Sequence, residues 1–92
     1  MRTAKRLVIE GRVQGVGYRY WAEGTASELG LSGWVRNLRD GRVEMSIAGD
    51  AGQIAKMIEA CWKGPRPARV DQVRELPQDD EGWPDFSTRP TL

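Results

Sequence analysis

Residues 31–47 read LSGWVRNLRDGRVEMSI, and this stretch decides the fold. In its second half Val43, Met45 and Ile47 point one way and Arg42, Glu44 and Ser46 the other. That period of two belongs to a strand with an apolar inner face and a polar outer one. In its first half Leu31 to Asn37 forms another extended run. Between the two, Arg39-Asp40-Gly41 is a turn signal, because glycine accepts the positive φ that a tight hairpin needs. The stretch is therefore a β-hairpin.

Helices flank it. Upstream, Tyr18, Ala22, Ala26 and Leu29 fall at helical spacing with Trp21 beside them, and Gly30 stands at the C-terminal stop. Before that helix, Gln14 to Tyr18 holds two glycines and no period, a tight loop. Lys5 to Val13 precedes it as a first strand, with Leu7, Ile9 and Val13 on one face and Gly11 interrupting. Downstream, Asp50 and Gln53 resemble a capping box. Behind them Ile54, Met57, Ile58, Cys61 and Trp62 make one apolar stripe, which ends at Gly64-Pro65. Arg69 to Leu76 reads as a fourth strand, Gln78 to Asp85 as an acidic turn-prone stretch, and Phe86 to Thr88 as a short extended piece. The order βαββαβ predicts an α+β fold of the ferredoxin-like, split βαβ kind: an antiparallel-containing sheet with two helices on one face. A single domain over residues 1–92 is expected.

Composition narrows the chemistry. Lys and Arg number 14 against 13 for Asp and Glu, a net charge of +1, so the basic excess of a nucleic-acid domain is missing. The chain has no His, which removes the commonest general base and transition-metal ligand. One Cys permits neither an internal disulfide nor a thiolate-rich zinc site. No apolar run is long enough to cross a bilayer, and no signal-peptide core opens the chain. A cytoplasmic monomer acting on a small ligand, with no nucleic acid, membrane, metal or cofactor involved, is the expectation.

The stretch GRVQGVGYR, residues 11–19, carries the chemistry. A strand runs through a glycine-containing loop into a helix start. Glycines let successive N–H groups turn inward as an anion nest, and the helix N-terminus adds its own free amides. Arg19, where loop meets helix, can add a two-pronged guanidinium contact to phosphate oxygens. The same residues also suit a plain glycine-rich turn with a solvated arginine. A second element is GWVRN, residues 33–37. A helix crossover makes the first two strands parallel, so the loop after Val13 and the end at Asn37 lie on one edge of the sheet. Asn37 shares parity with Val35 and can face the nest, or it can cap the hairpin turn.

Together the two motifs resemble the paired signatures of the acylphosphatase family. Residues 11–19 are similar to its Gly-x-Val-Gln-Gly-Val-x-[Phe/Tyr]-Arg stretch, and residues 33–37 to its Gly-[aromatic]-Val-[basic or polar]-Asn stretch. The likeness runs from Arg6 to Phe86; Tyr18 stands where Phe is commoner, and the tail after Arg89 has no evident counterpart. The resemblance implies an enzyme that hydrolyses the carboxyl–phosphate anhydride bond of small acyl phosphates. It implies Arg19 as the catalytic phosphate-binding arginine and Asn37 as the residue orienting water. Gln14, Gly15, Val16, Gly17 and Tyr18 would bind phosphate through their amides. A carboxylate is already a good leaving group, so such chemistry needs no general acid, and the lack of His is no obstacle.

Other features point elsewhere less strongly. An RNA-binding sheet would carry aromatics on its open face, where the first strand offers Arg6, Val8, Glu10 and Arg12. Trp21 and Trp62 read as packing, and Cys61 as an inert member of the buried stripe. Asp79, Asp80 and Glu81 read as a solvated acidic loop.

Overall fold

The computed structural model describes residues 1–92. Its elements are β1 (Arg2–Arg12), α1 (Tyr18–Glu28), β2 (Ser32–Asn37), β3 (Val43–Asp50), α2 (Ala51–Lys63), β4 (Arg69–Pro77) and β5 (Phe86–Thr88). The sheet runs β4-β1-β3-β2-β5. β3 pairs antiparallel with both β1 and β2, so those two run parallel to each other across it. Val43 is the shared rung: it faces Ile9 on one side and Asn37 on the other. The ends of β1 and β2 are thus level, at one edge of the sheet.

Alternation along the strands sends Leu7, Ile9, Val35, Val43, Met45, Ile47 and Val73 to one face, where all are buried. Tyr18, Ala22 and Ala26 of α1 and Ile54, Met57 and Cys61 of α2 cover them. Small alanines let α1 lie close to the sheet, and the larger residues of α2 fill the other half. The α+β ferredoxin-like arrangement is the one the hairpin and its flanking helices predict.

Several local expectations are corrected. β1 starts at Arg2 rather than Lys5, because its first residues pair with the end of β3, Arg2 opposite Asp50. Asp50 caps α2 by accepting from Gly52 N at 3.0 Å, but the capping box does not close. Gln53 instead donates to the Leu29 carbonyl at the end of α1, 3.4 Å away. Trp62 is 46% exposed, since at position i+8 the helix has already rotated it past the edge of the stripe that Cys61 completes.

The helix-free face differs most from its reading. Glu44 and Ser46, placed outward by their parity, are buried. Arg6 of β1 and Arg36 of β2 fold over Glu44 from either side and pair with its two carboxylate oxygens. Ser46 donates to Gln78 Oε1 at 3.0 Å. β4 and β5 lie at opposite edges, so residues 78–85 must cross the sheet, and they do so over this face. Asp80 pairs with Arg2, and the Asp85 carbonyl accepts from Gly33 N at 2.9 Å. Trp34, also on this face, is clamped between the guanidiniums of Arg36 and Arg89, 4.6 and 4.7 Å from its ring. It offers no free surface for stacking a base.

Candidate active site

The loop between β1 and α1 is shaped by two glycines. Gly15 and Gly17 have φ of 72° and 80°, and no other residue type in the chain has a positive φ. This left-handed geometry costs a side-chain-bearing residue roughly 1–2 kcal/mol, which glycine avoids. The result is a loop whose amides from Gln14 to Gly17 donate to no protein acceptor. α1 then begins with the Gly17 carbonyl accepting from Trp21 N at 3.0 Å. The amides of Tyr18, Arg19 and Tyr20 precede any i−4 partner in the helix, as first-turn amides must. A run of free N–H groups and the positive end of a helix dipole therefore share one small concavity.

The loop is not held by these amides but by a side chain. Gln14 Nε2 donates to two carbonyls of the β2–β3 connection, Leu38 at 2.7 Å and Arg42 at 2.9 Å. These two hydrogen bonds from one side-chain amide to one turn fix the loop against the end of β2.

A cleft of about 330 Å³ opens there, bounded by Gln14, Gly15, Gly17, Tyr18, Arg19, Tyr20, Asn37 and Thr88, with Val13 at its floor. Five of the predicted loop and helix residues thus meet Asn37 at one site. Val16 is the exception, because its side chain packs against the core. Arg19 is half-buried and makes no side-chain hydrogen bond or ion pair. The side chain of Asn37 is likewise without a protein partner, while its backbone carbonyl accepts from Leu92 N at 3.2 Å. It takes no part in closing the hairpin turn. That task falls to Leu38 N on the Arg42 carbonyl, 2.8 Å, and to Asp40, whose carboxylate accepts from Arg42 N at 3.1 Å.

Tyr18 belongs to the site through its backbone alone. Its ring is buried, stands edge-on to Trp21 with centroids 5.1 Å apart, and its hydroxyl donates to the Cys61 carbonyl at 2.7 Å. Burial pushes the phenol well above the usual tyrosine range. Burial also pushes the Cys61 thiol up to about 12, which keeps it protonated and unreactive. No carboxylate lines the cleft. Thr88 was not among the residues expected here. It arrives because β5 pairs parallel with β2, Thr88 opposite Val35, a non-local pairing that three residues of sequence do not announce.

The sequence profile of the acylphosphatase family matches residues 5–88. This chain belongs to the acylphosphatase family. Among its relatives, an acylphosphatase of Nitrobacter hamburgensis is 53% identical over 79% of this chain and 74% of its own length. One from a Nocardioides species is 44% identical over 97% of this chain and 90% of its own. The solved structure of an acylphosphatase from Coxiella burnetii superposes with a TM-score of 0.92 at 36% identity, covering 96% of this chain and 93% of that one. Members of the acylphosphatase family are hydrolases acting on acid anhydrides, so the expectation of an enzyme stands with the family. No helix is long and apolar enough to cross a membrane.

Proposed function

We propose that this acylphosphatase-family chain hydrolyses the carboxyl–phosphate anhydride of small acyl phosphates, using the loop amides and Arg19 to hold the phosphoryl group and Asn37 to place water. One observation carries the proposal: Arg19 and Asn37, from different elements, both enter one cleft with side chains that have no protein partner, beside amides that have none either. Polar groups left unpaired together are poised for a ligand of matching chemistry, here an oxyanion.

The amides of residues 14–18 and the Arg19 guanidinium bind the equatorial phosphoryl oxygens and neutralise their charge. Asn37 accepts a hydrogen bond from water through its side-chain oxygen and aims the water's lone pair at phosphorus, opposite the acyl oxygen. The new P–O bond forms from water, the P–O bond to the acyl group breaks, and the carboxylate leaves with the electron pair. The proton that water loses passes to a phosphoryl oxygen of the substrate, since the cleft has no carboxylate or imidazole to take it. Positioning and fixed electrostatics then supply the rate, with no metal in the step.

The test is benzoyl phosphate hydrolysis followed by ultraviolet absorbance with a chelator present. Wild type is compared with Arg19→Gln and Asn37→Ala, each checked for folding by circular dichroism. Each variant is expected to lose about 10²–10³ in kcat or more, as when one preorganised donor is removed from a charged transition state. Well-folded wild type that does not turn over, or folded variants as fast as wild type, would refute the reading.

A further inference from the structure

Arg19 and Glu23 lie four residues apart on α1. Side chains at that spacing are neighbours on a helix surface, so an arginine and a glutamate placed so are within reach of an ion pair. Here they do not pair. The Glu23 carboxylate accepts a hydrogen bond from Thr88 Oγ1 at 3.0 Å, across from α1 to β5. Thr88 itself lines the cleft with Arg19 and Asn37.

We propose that Thr88 is a positioning residue that holds Glu23 away from Arg19 and so keeps the guanidinium available to the phosphoryl group. The inference rests on the functional reading above, in which Arg19 binds phosphate. Without the Thr88 hydroxyl, the four-residue spacing on α1 leaves the Arg19 guanidinium within reach of the Glu23 carboxylate. An arginine already paired with a carboxylate must give up that partner before it can take a phosphate, and it carries less net positive field toward the ligand meanwhile. Thr88 thus acts through Glu23 on Arg19, without needing to touch substrate. The short β5 strand acquires a purpose in the site: its parallel pairing with β2 delivers Thr88 to the helix side of the sheet, opposite Val35, where α1 packs.

The experiment is a double-mutant cycle read by binding as well as by rate. The dissociation constant of inorganic phosphate is measured by calorimetry for wild type, Thr88→Val, Glu23→Gln and the double variant. KM and kcat for benzoyl phosphate are measured alongside. Thr88→Val is expected to weaken phosphate binding about two- to fivefold, the upper half of what an exposed ion pair that now competes is worth. KM should rise by a similar factor, with kcat changed less. In the Glu23→Gln background the same Thr88→Val change should alter binding less than twofold, because no carboxylate remains to capture Arg19. Thr88→Ser, which keeps the hydroxyl, should bind phosphate like wild type. Equal loss in both Glu23 backgrounds would overturn the proposal and make Thr88 a direct ligand or a packing residue. Unchanged binding in Thr88→Val would overturn it also. Phosphate binding that responds as described in a wild type unable to hydrolyse benzoyl phosphate would sink the catalytic reading while leaving this one intact.

Discussion

The bond between Tyr18 and Cys61 makes a quantitative prediction about stability. The last turn of α2 leaves carbonyls without helical donors. Gly64 N serves the Ala60 carbonyl at 2.9 Å, but the Cys61 carbonyl would look to residue 65, and that is a proline with no N–H. The Tyr18 hydroxyl takes the vacant role at 2.7 Å, in a site from which water is excluded. Tyr18→Phe keeps the ring and its packing, opens no sizeable cavity, and strands one buried carbonyl. An unpaired buried acceptor costs about 1–3 kcal/mol. For a domain of this size each kcal/mol moves Tm by about 4–8 °C, so a loss near 1.5 kcal/mol lowers Tm by about 6–12 °C. The assay is urea unfolding followed by far-ultraviolet circular dichroism, with the midpoint falling and the slope m unchanged. A midpoint within error of wild type would falsify the reasoning, because it would mean that the carbonyl finds another partner at no cost. A changed m would instead point to an altered unfolded or native compactness.

Two further predictions concern the same core and the sheet. Burial holds the Cys61 thiol up at about 12 and raises the Tyr18 phenol further, against ordinary values of 9.0 and 10.0. Both folded-state values lie above the unfolded ones, so the unfolded chain binds fewer protons once pH passes 9. Stability is therefore whole below pH 9 and falls as pH rises toward 12, by up to about 1.4 kcal/mol per pH unit for each group. Urea midpoints measured from pH 8 to 11 should decline, and Cys61→Ala should flatten the first part of the decline; parallel curves for the two proteins would count against it. Among glycines, Gly33→Ala should be far worse than Gly15→Ala. At Gly33, with φ of 138°, a Cβ would fall onto the Ser46 carbonyl oxygen of the neighbouring strand, whereas at Gly15 no atom lies within 4 Å. Strain plus overlap at Gly33 should cost about 3 kcal/mol or more, against about 1–2 kcal/mol for the left-handed backbone alone at Gly15. Chemical denaturation of both variants checks the ranking, and equal losses would contradict it.

Much of the fold was legible because its determinants are local. The hairpin at residues 38–42, the alternation of β3 and the stop at Gly64-Pro65 depend on residues adjacent in the chain, and each appears where its pattern placed it. Trp62 and Gln53 were misread because a stripe or a box is also local, while the neighbour that decides its outcome is not. Trp62 lies one step beyond the width of the sheet that α2 covers, and Gln53 finds the end of α1 closer than its own cap. Glu44 and Ser46 show the same limit. Parity sent them outward correctly, but parity cannot say that Arg6, Arg36 and the crossing segment 78–85 would cover that side.

The candidate site divides along the same line. The sequence by itself determined a glycine loop that runs into a helix start, which suits a nest or a plain turn alike, and it determined that the ends of β1 and β2 share an edge, since a helix crossover makes strands parallel. Tertiary structure alone decided what surrounds them. Gln14 is a clamp on the β2–β3 turn rather than only a loop residue, Tyr18 is committed to the carbonyl of a distant helix, and Thr88 enters the cleft from the last strand and takes Glu23 with it. Those three contacts join residues 24, 43 and 65 positions apart. Side-chain hydrogen bonds across such separations depend on where the packed core puts each backbone to within an ångström, and no local pattern of residue types carries that distance.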